Sequence, residues 1–253
     1  MLARYAGEGV ETSLVTATRG DRGRYFGHPA GTPEHPGSAA LSRLREEELC
    51  AAAAVLGIRH LALLDYGDQE VYRAGVDAAV AAIAGHIRQR RPDVVLTFPP
   101  DGSYGHPDHI AISQLATAAT MAAADARYAS DLGPPHAVSK LYYLAWNERT
   151  WAAYQAAFKK LVAMVDGVER QATAWPDWAI TTVIDTRPWW PIVWRAASCH
   201  ASQVGAYAAL KGLSPDEHEA LWGSQSFYRV FSLVNGGRQR ESDLFEGVDE
   251  GST

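Results

Sequence analysis

Cysteine is nearly absent from this sequence, with two thiols, Cys50 and Cys199, in 253 residues. Two cysteines so far apart form neither a disulfide framework nor a Cys-based zinc site. The chain therefore reads as one from a reducing compartment, where any metal must be held by His and carboxylate. Cys199 beside His200 could mimic a nucleophile pair, but neighbouring helical residues point about 100° apart, which favours a buried small thiol. No apolar run is long enough to span a bilayer, and the Met1-Leu2-Ala3-Arg4 start lacks a signal peptide's apolar stretch, so no membrane span and a cytoplasmic location are expected. An excess of positive charge is missing too. The formal net charge is −6 and the 23 Lys and Arg are scattered rather than striped, which argues against nucleic acid and for a small neutral or polar substrate. No strand is followed by GxGxxG or GxxxxGK[ST], which weakens a nucleotide-binding reading.

Apolar residues make up 47% of the chain, enough to fill the core of one large α/β domain spanning residues 1–253. Val10 to Ala17 reads as a strand and Leu41 to Leu56 as a helix, with Ser38 or Ser42 available as its cap. Leu61 to Leu64 is a short strand, a helix runs from about Ala74 to Gln89, and Arg91-Pro92 ends it. Asp93 to Phe98 is the next strand, and a helix starts at Pro107 and continues through Ile110 to Ala124. This alternation predicts a mostly parallel sheet with helices on both faces. Further along, strands are predicted at Lys140–Ala145, Ile180–Ile184 and Phe227–Asn235. Helices are predicted at Arg149–Val165, Trp189–Ser202 and Leu213–Gly223. All eight tryptophans lie beyond residue 140; such density packs a core or walls a sugar site.

The densest chemistry is GSYGHPDH, Gly102 to His109, between the Asp93 strand and the following helix. Pro107 suits the first helical position, which puts His106 at the cap and Asp108 and His109 in the first turn. His106 and His109 then share one helix face, at the carboxyl end of a strand, where open α/β sheets bind ligands. The positive end of the helix dipole disfavours an imidazolium and keeps the ring available to a metal. Two histidines alone do not make a site that takes three or four ligands, and ordinary turn and cap chemistry is the competing reading.

Four segments taken together, LARYAGEGVETSLVTATRGDRG, LREEELCAAAAVLG, RPDVVLTFPPDGSYGHPDHIA and CHASQ, resemble the PIG-L/LmbE-like family of zinc-dependent N-deacetylases. The resemblance implies a Rossmann-like three-layer α/β sandwich and a Zn2+ cofactor. It also implies removal of an acetyl or other acyl group from an N-acetylated amino sugar or its conjugate. It gives His109 the metal role and gives His106 oxyanion stabilisation or leaving-group protonation, with Asp108 tuning that imidazole. In the family the remaining metal ligands and the general base come from an upstream His-Pro-Asp-Asp motif, which does not occur in these 253 residues. The expectation is therefore a chain that starts after the first strand, with Leu2–Ala6 a remnant of the first helix, and with weak zinc binding until roughly 20 upstream residues are restored. The alternative is a catalytically inactive sugar-binding protein of the same fold.

Substrate contacts are expected from three further residues. Arg45, in LREEEL, matches a family position that contacts hydroxyls or phosphate, although an arginine beside Glu46–Glu48 also suits a helix ion pair. Asp68, in the loop after the Leu61 strand, could accept bonds from sugar hydroxyls or cap a turn. Tyr104, between two glycines, could swing its phenol toward substrate. TRGDRG (Thr18–Gly23) closes the Val10 strand, and His200 and Gln203 of CHASQ line a pocket floor or fix a loop. His28 and His35 lie in a proline-broken stretch and read as solvent-exposed.

Overall fold

The computed structural model describes residues 1–158, 162–165, 167–204, 210–237 and 239–248. Its elements in chain order begin with α1 (Leu2–Gly7), β1 (Ser13–Thr16), α2 (Ser38–Leu56), β2 (His60–Leu63), α3 (Val76–Arg90), β3 (Val94–Thr97) and α4 (Gly102–Gly105). There follow α5 (Pro107–Ala124), β4 (Lys140–Leu144), α6 (Glu148–Phe158), β5 (Val162–Val165) and β6 (Val168–Gln171). The last elements are β7 (Thr182–Asp185), α7 (Trp190–Cys199), α8 (Ala201–Val204), α9 (Pro215–Trp222) and β8 (Ser224–Ser232). The fold is α/β, as expected. Among the described residues no helix is long and apolar enough to cross a membrane. The backbone clusters into two compact units, Met1–Val71 with Ala152–Lys160 and Asp185–Ser224, and Tyr72–Trp151 with Leu161–Ile184 and Gln225–Thr253.

In the first unit, β1 and β2 pair in parallel, Ser13 opposite His60 through Thr16 opposite Leu63. A parallel pair needs a long crossover, and α2 supplies it. Leu41, Glu48 and Ala52 recur on one buried face of α2, which packs against α7. Gly57, in the left-handed region at φ 75°, ends the helix and turns the chain into β2. The expected serine cap is absent: Gly37 holds the cap position without a side-chain bond, and the Ser38 hydroxyl donates instead to Asp21. Ser38 is already the first helical residue, one step too late to cap. Capping falls to α9, where Ser214 and Glu217 form a reciprocal capping box.

In the second unit, β3 and β4 are parallel and β4 and β8 antiparallel, in the order β3-β4-β8-β7. Helices α3 and α5 pack side by side. Val80, Ile83, Ala84 and Ile87 of α3 follow the i, i+3, i+4, i+7 rule, and the alanines of α5 permit close approach. The helix expected over Arg149–Val165 is corrected: α6 stops at Phe158, and Val162–Val165 is instead the first strand of a hairpin with Val168–Gln171. Val165 pairs with Val168, and the two residues between them in sequence, Asp-Gly, are a strong hairpin signal. The segment Trp189–Ser202 is likewise broken at His200 into α7 and α8.

Candidate functional site

The site begins where β3 ends. Asp101 opens the turn, its carboxylate accepting the Ser103 N–H at 3.0 Å, and the Gly105 N–H donates to the Asp101 carbonyl at 3.1 Å. Gly102, Ser103 and Gly105 have φ of 66°, 68° and 77°. For Ser103 this is a costly conformation, of the kind that the surrounding structure must enforce. Gly102 cannot be replaced without movement, since a Cβ there would lie 2.9 Å from Ile110 Cγ1 and 3.0 Å from the Ile110 nitrogen. The turn is thereby pressed onto the first turn of α5. His106 is the N-cap of α5 and Pro107 its first residue, as the spacing predicts.

Each imidazole is oriented by one backbone group. The Asp108 N–H donates to His106 Nδ1 at 3.2 Å, so a neutral His106 carries its proton on Nε2 and is a donor there. His109 Nδ1 donates to the Gly102 carbonyl at 3.3 Å, which leaves its Nε2 lone pair open. The rings lie 4.8 Å apart. His109 is stacked on Phe98 at 4.0 Å, and the Tyr104 ring meets it edge-on at 5.1 Å. Burial, and then the neighbouring His106, lower the His109 pKa to about 4 against the opposing Gly102 bond, so His109 is neutral at physiological pH. Asp108 is buried in the same turn. Tyr104, His106, Asp108 and His109 are thus gathered in the second unit, as a proton donor and an open lone pair side by side.

Arg45 and Asp68 lie in the first unit, both against the Thr18–Gly23 loop. The Arg45 guanidinium donates to the carbonyls of Gly20 and, at 2.9 Å, Arg24, and a Cβ on Gly20 would come within 2.6 Å of it. Asp68 accepts the Arg22 N–H at 3.0 Å, and Arg19 bridges Glu46 at 2.6 Å and Asp65. These bonds make both residues anchors of that loop. His35 holds the Gly23 carbonyl at 3.1 Å, while His28 stays exposed, 3.8 Å from Glu34. Gln203 approaches His200 Nδ1 at 3.4 Å, and burial lowers the His200 pKa. Sequence reasoning missed Glu48. Its buried carboxylate takes the Ser202 N–H at 2.6 Å and hydroxyl at 2.7 Å, which ties LREEEL to CHASQ across 154 residues.

Among the described residues no group of three or more His, Cys, Asp and Glu side chains is placed to hold a metal ion. His106 and His109 are at most two donors where zinc takes three or four, so the donor set described does not by itself fit the zinc that the resemblance implies.

The model of the family "PIG-L: GlcNAc-PI de-N-acetylase" matches residues 1–120. The chain is 32% identical to a 1D-myo-inositol 2-acetamido-2-deoxy-alpha-D-glucopyranoside deacetylase of Streptomyces avermitilis, over 98% of this chain and 90% of that protein. It is 33% identical to the protein of the same name from Rhodococcus jostii, over 98% and 91%. Among solved structures, N,N'-diacetylchitobiose deacetylase from Pyrococcus horikoshii superposes with a TM-score of 0.61 at 16% identity, covering 90% of this chain and 76% of that one. The 4-carboxy-2-hydroxymuconate hydratase of Pseudomonas putida gives 0.66 at 18%, covering 93% and 90%. One fold therefore carries two chemistries, and the fold alone does not choose the reaction. Identity above 30% along nearly the whole length does settle descent: the chain belongs to the PIG-L family of de-N-acetylases.

Proposed function

We propose that the chain is an N-deacetylase that hydrolyses the acetamide of a small amino-sugar conjugate, releasing acetate and a free amine. The observation that carries this reading is the 32–33% identity, over 98% of the chain, to deacetylases of an inositol-linked acetamido sugar. The turn geometry agrees with it. Water attacking the amide carbonyl generates a tetrahedral oxyanion, and a donor must meet that oxygen or protonate the departing nitrogen. His106 carries such a proton on Nε2, fixed by the Asp108 N–H on its other nitrogen. His109 offers the opposite, a lone pair on Nε2, and is the side chain proposed for Zn2+. Tyr104 sits against both rings, where we propose its phenol meets substrate, and the Asp108 N–H fixes the imidazole proposed as catalytic.

The test is amine release from 1D-myo-inositol 2-acetamido-2-deoxy-α-D-glucopyranoside, with and without added Zn2+. His106→Ala should lower kcat by about a hundredfold or more with KM nearly unchanged, the signature of a group acting on the transition state. A rise in KM at constant kcat would make His106 a binding residue instead. Absence of amine release from the folded chain at every metal concentration, together with measurable binding of the acetamido sugar, would replace the enzyme by a sugar-binding protein of the same fold.

A further inference from the structure

The hairpin of the second unit is the part of the molecule that neither the motifs nor the proposed reaction uses. Both of its strands pack on α4. The contact is made where Gly105 has no side chain: a Cβ there would lie 2.8 Å from Arg170 Cδ, 3.2 Å from its Cβ and 3.6 Å from its Cγ. The arginine stem therefore fills the place of a missing side chain in the very turn that presents His106. Gly105 directly precedes that histidine and follows Tyr104.

Beyond the stem, Arg170 is exposed, and its guanidinium has no hydrogen-bond or ion-pair partner among the described residues. The nearby carboxylates are placed elsewhere. Asp101 caps its own turn through Ser103, Asp108 is buried, and Glu169, next to Arg170 on the strand, points to the opposite face. Val168, two residues back, shares the Arg170 face and is 59% exposed. Val168 and Arg170 thus share one strand face, with the Arg170 stem set against the glycine that precedes His106. A guanidinium fork matches the oxygens of a phosphate or carboxylate, and an exposed arginine that has no internal partner keeps all five donors for a ligand.

We propose that Arg170 is a specificity-determining residue of this site, which selects acetamido substrates bearing an oxyanion, a phosphate or a carboxylate, over their neutral counterparts. The proposal rests on the deacetylase reading only for the identity of the reacting group; the oxyanion contact itself is a binding property.

The experiment compares the full chain with Arg170→Gln and Arg170→Lys on matched ligands. These are N-acetylglucosamine, its 1-phosphate, its 6-phosphate and N-acetylglucosamine uronate, followed by calorimetric binding and by amine release. Arg170→Gln should weaken binding of at least one charged ligand by about tenfold or more and leave the neutral sugar within about twofold. Arg170→Lys should retain part of the preference, because a point charge replaces the fork. In turnover the loss should fall on KM rather than kcat. An equal effect on charged and neutral sugars, no effect on either, or a wild-type chain that prefers no charged ligand would each overturn the proposal. Arg170-dependent binding without amine release would uphold it while overturning the deacetylase reading. The exposed strand position makes both variants tolerable to the fold, and circular dichroism checks this.

Discussion

Individual buried sites in the two units enclose polar groups in opposite ways. In the second unit Arg88, 3% exposed, donates to six main-chain carbonyls, those of Ala122, Ala123, Asp125, Tyr128, Ala129 and Gly133, at 2.8–3.3 Å. The same unit buries Lys140 against Glu241 at 2.8 Å. Arg229, Tyr142, Thr182 and Asn235 complete the carboxylate's shell at 2.7–2.8 Å. In the first unit His218 is also buried, stacked between Trp190 at 5.1 Å and Trp222 at 5.2 Å, with Trp194 at 5.0 Å. Its Nδ1 has no hydrogen-bond partner among the described residues. The one region encloses charge in a filled network, the other a neutral ring in an apolar cage. What a buried polar group contributes depends on the partners that its removal would strand.

The largest effect should come from breaking the fullest shell. Arg88→Met leaves the carbonyls at the end of α5 and in the following loop unsatisfied, which costs about 4 kcal/mol or more in urea unfolding. Arg88→Lys, with three donors for six acceptors, should recover only part. A loss under about 1 kcal/mol would mean that water serves those carbonyls equally well. Next, Lys140→Met should cost about 3 kcal/mol by leaving a buried carboxylate short of a partner. Combined with Glu241→Gln it should cost less than the sum of the two single changes, which a double-mutant cycle reads directly. Burial alone would raise the Glu241 pKa, but the bonds from Lys140, Asn235, Tyr142 and Thr182 outweigh it and hold the carboxyl at about 2. A depressed folded pKa gives stability that is present above the unfolded value, near 4.3, and is lost as pH falls toward 2. Glu241→Gln should flatten the acid limb of the stability curve over that window.

None of these shells is visible along the chain, and the reason is distance in sequence. Lys140 meets Glu241 across 101 residues and Arg88 reaches carbonyls 34 to 45 residues ahead, so no local pattern carries either contact. By contrast β1, β2, β3, α3 and α5 follow from apolar periodicity, and the GHPDH turn follows from glycine, proline and cap chemistry that acts within a few residues. The donor and lone-pair roles of His106 and His109 needed the structure, because the Asp108 N–H and the Gly102 carbonyl decide which nitrogen is open. The β5–β6 hairpin is marked in the sequence by its Asp-Gly pair alone. Its first strand, Val162–Val165, is only four apolar residues, and helix and strand are indistinguishable by periodicity over so short a stretch. Arg170 was lost with it.

Smaller changes sharpen the contrast from the side of the cage. Ser214→Ala removes the hydroxyl that accepts the Glu217 N–H in the capping box of α9, the helix that carries His218, while the Ser214 N–H still donates to the Glu217 carboxylate, and should cost about 1 kcal/mol.

The smallest effect at neutral pH should come from His218→Phe. The substitution keeps a flat ring among the three indoles and removes the Nδ1 that has no hydrogen-bond partner among the described residues, so stability should shift by no more than about 1 kcal/mol in either direction. The distinction appears on acidification. Burial lowers the folded pKa of His218, against the opposing pull of Glu217, so below the unfolded value near 6.5 the unfolded chain takes up a proton that the cage refuses. His218 therefore contributes stability above that pH and loses it as the pH falls. His109, His200 and His86 are lowered in the same way and add their own slopes, so the informative quantity is the difference between wild type and variant. That difference, from urea unfolding at pH 7.5 and 5.5 monitored by tryptophan fluorescence, should favour His218→Phe progressively as pH drops. A loss of several kcal/mol at pH 7.5 would show that His218 has a partner as indispensable as those of Arg88, and the contrast between the two units would fail there.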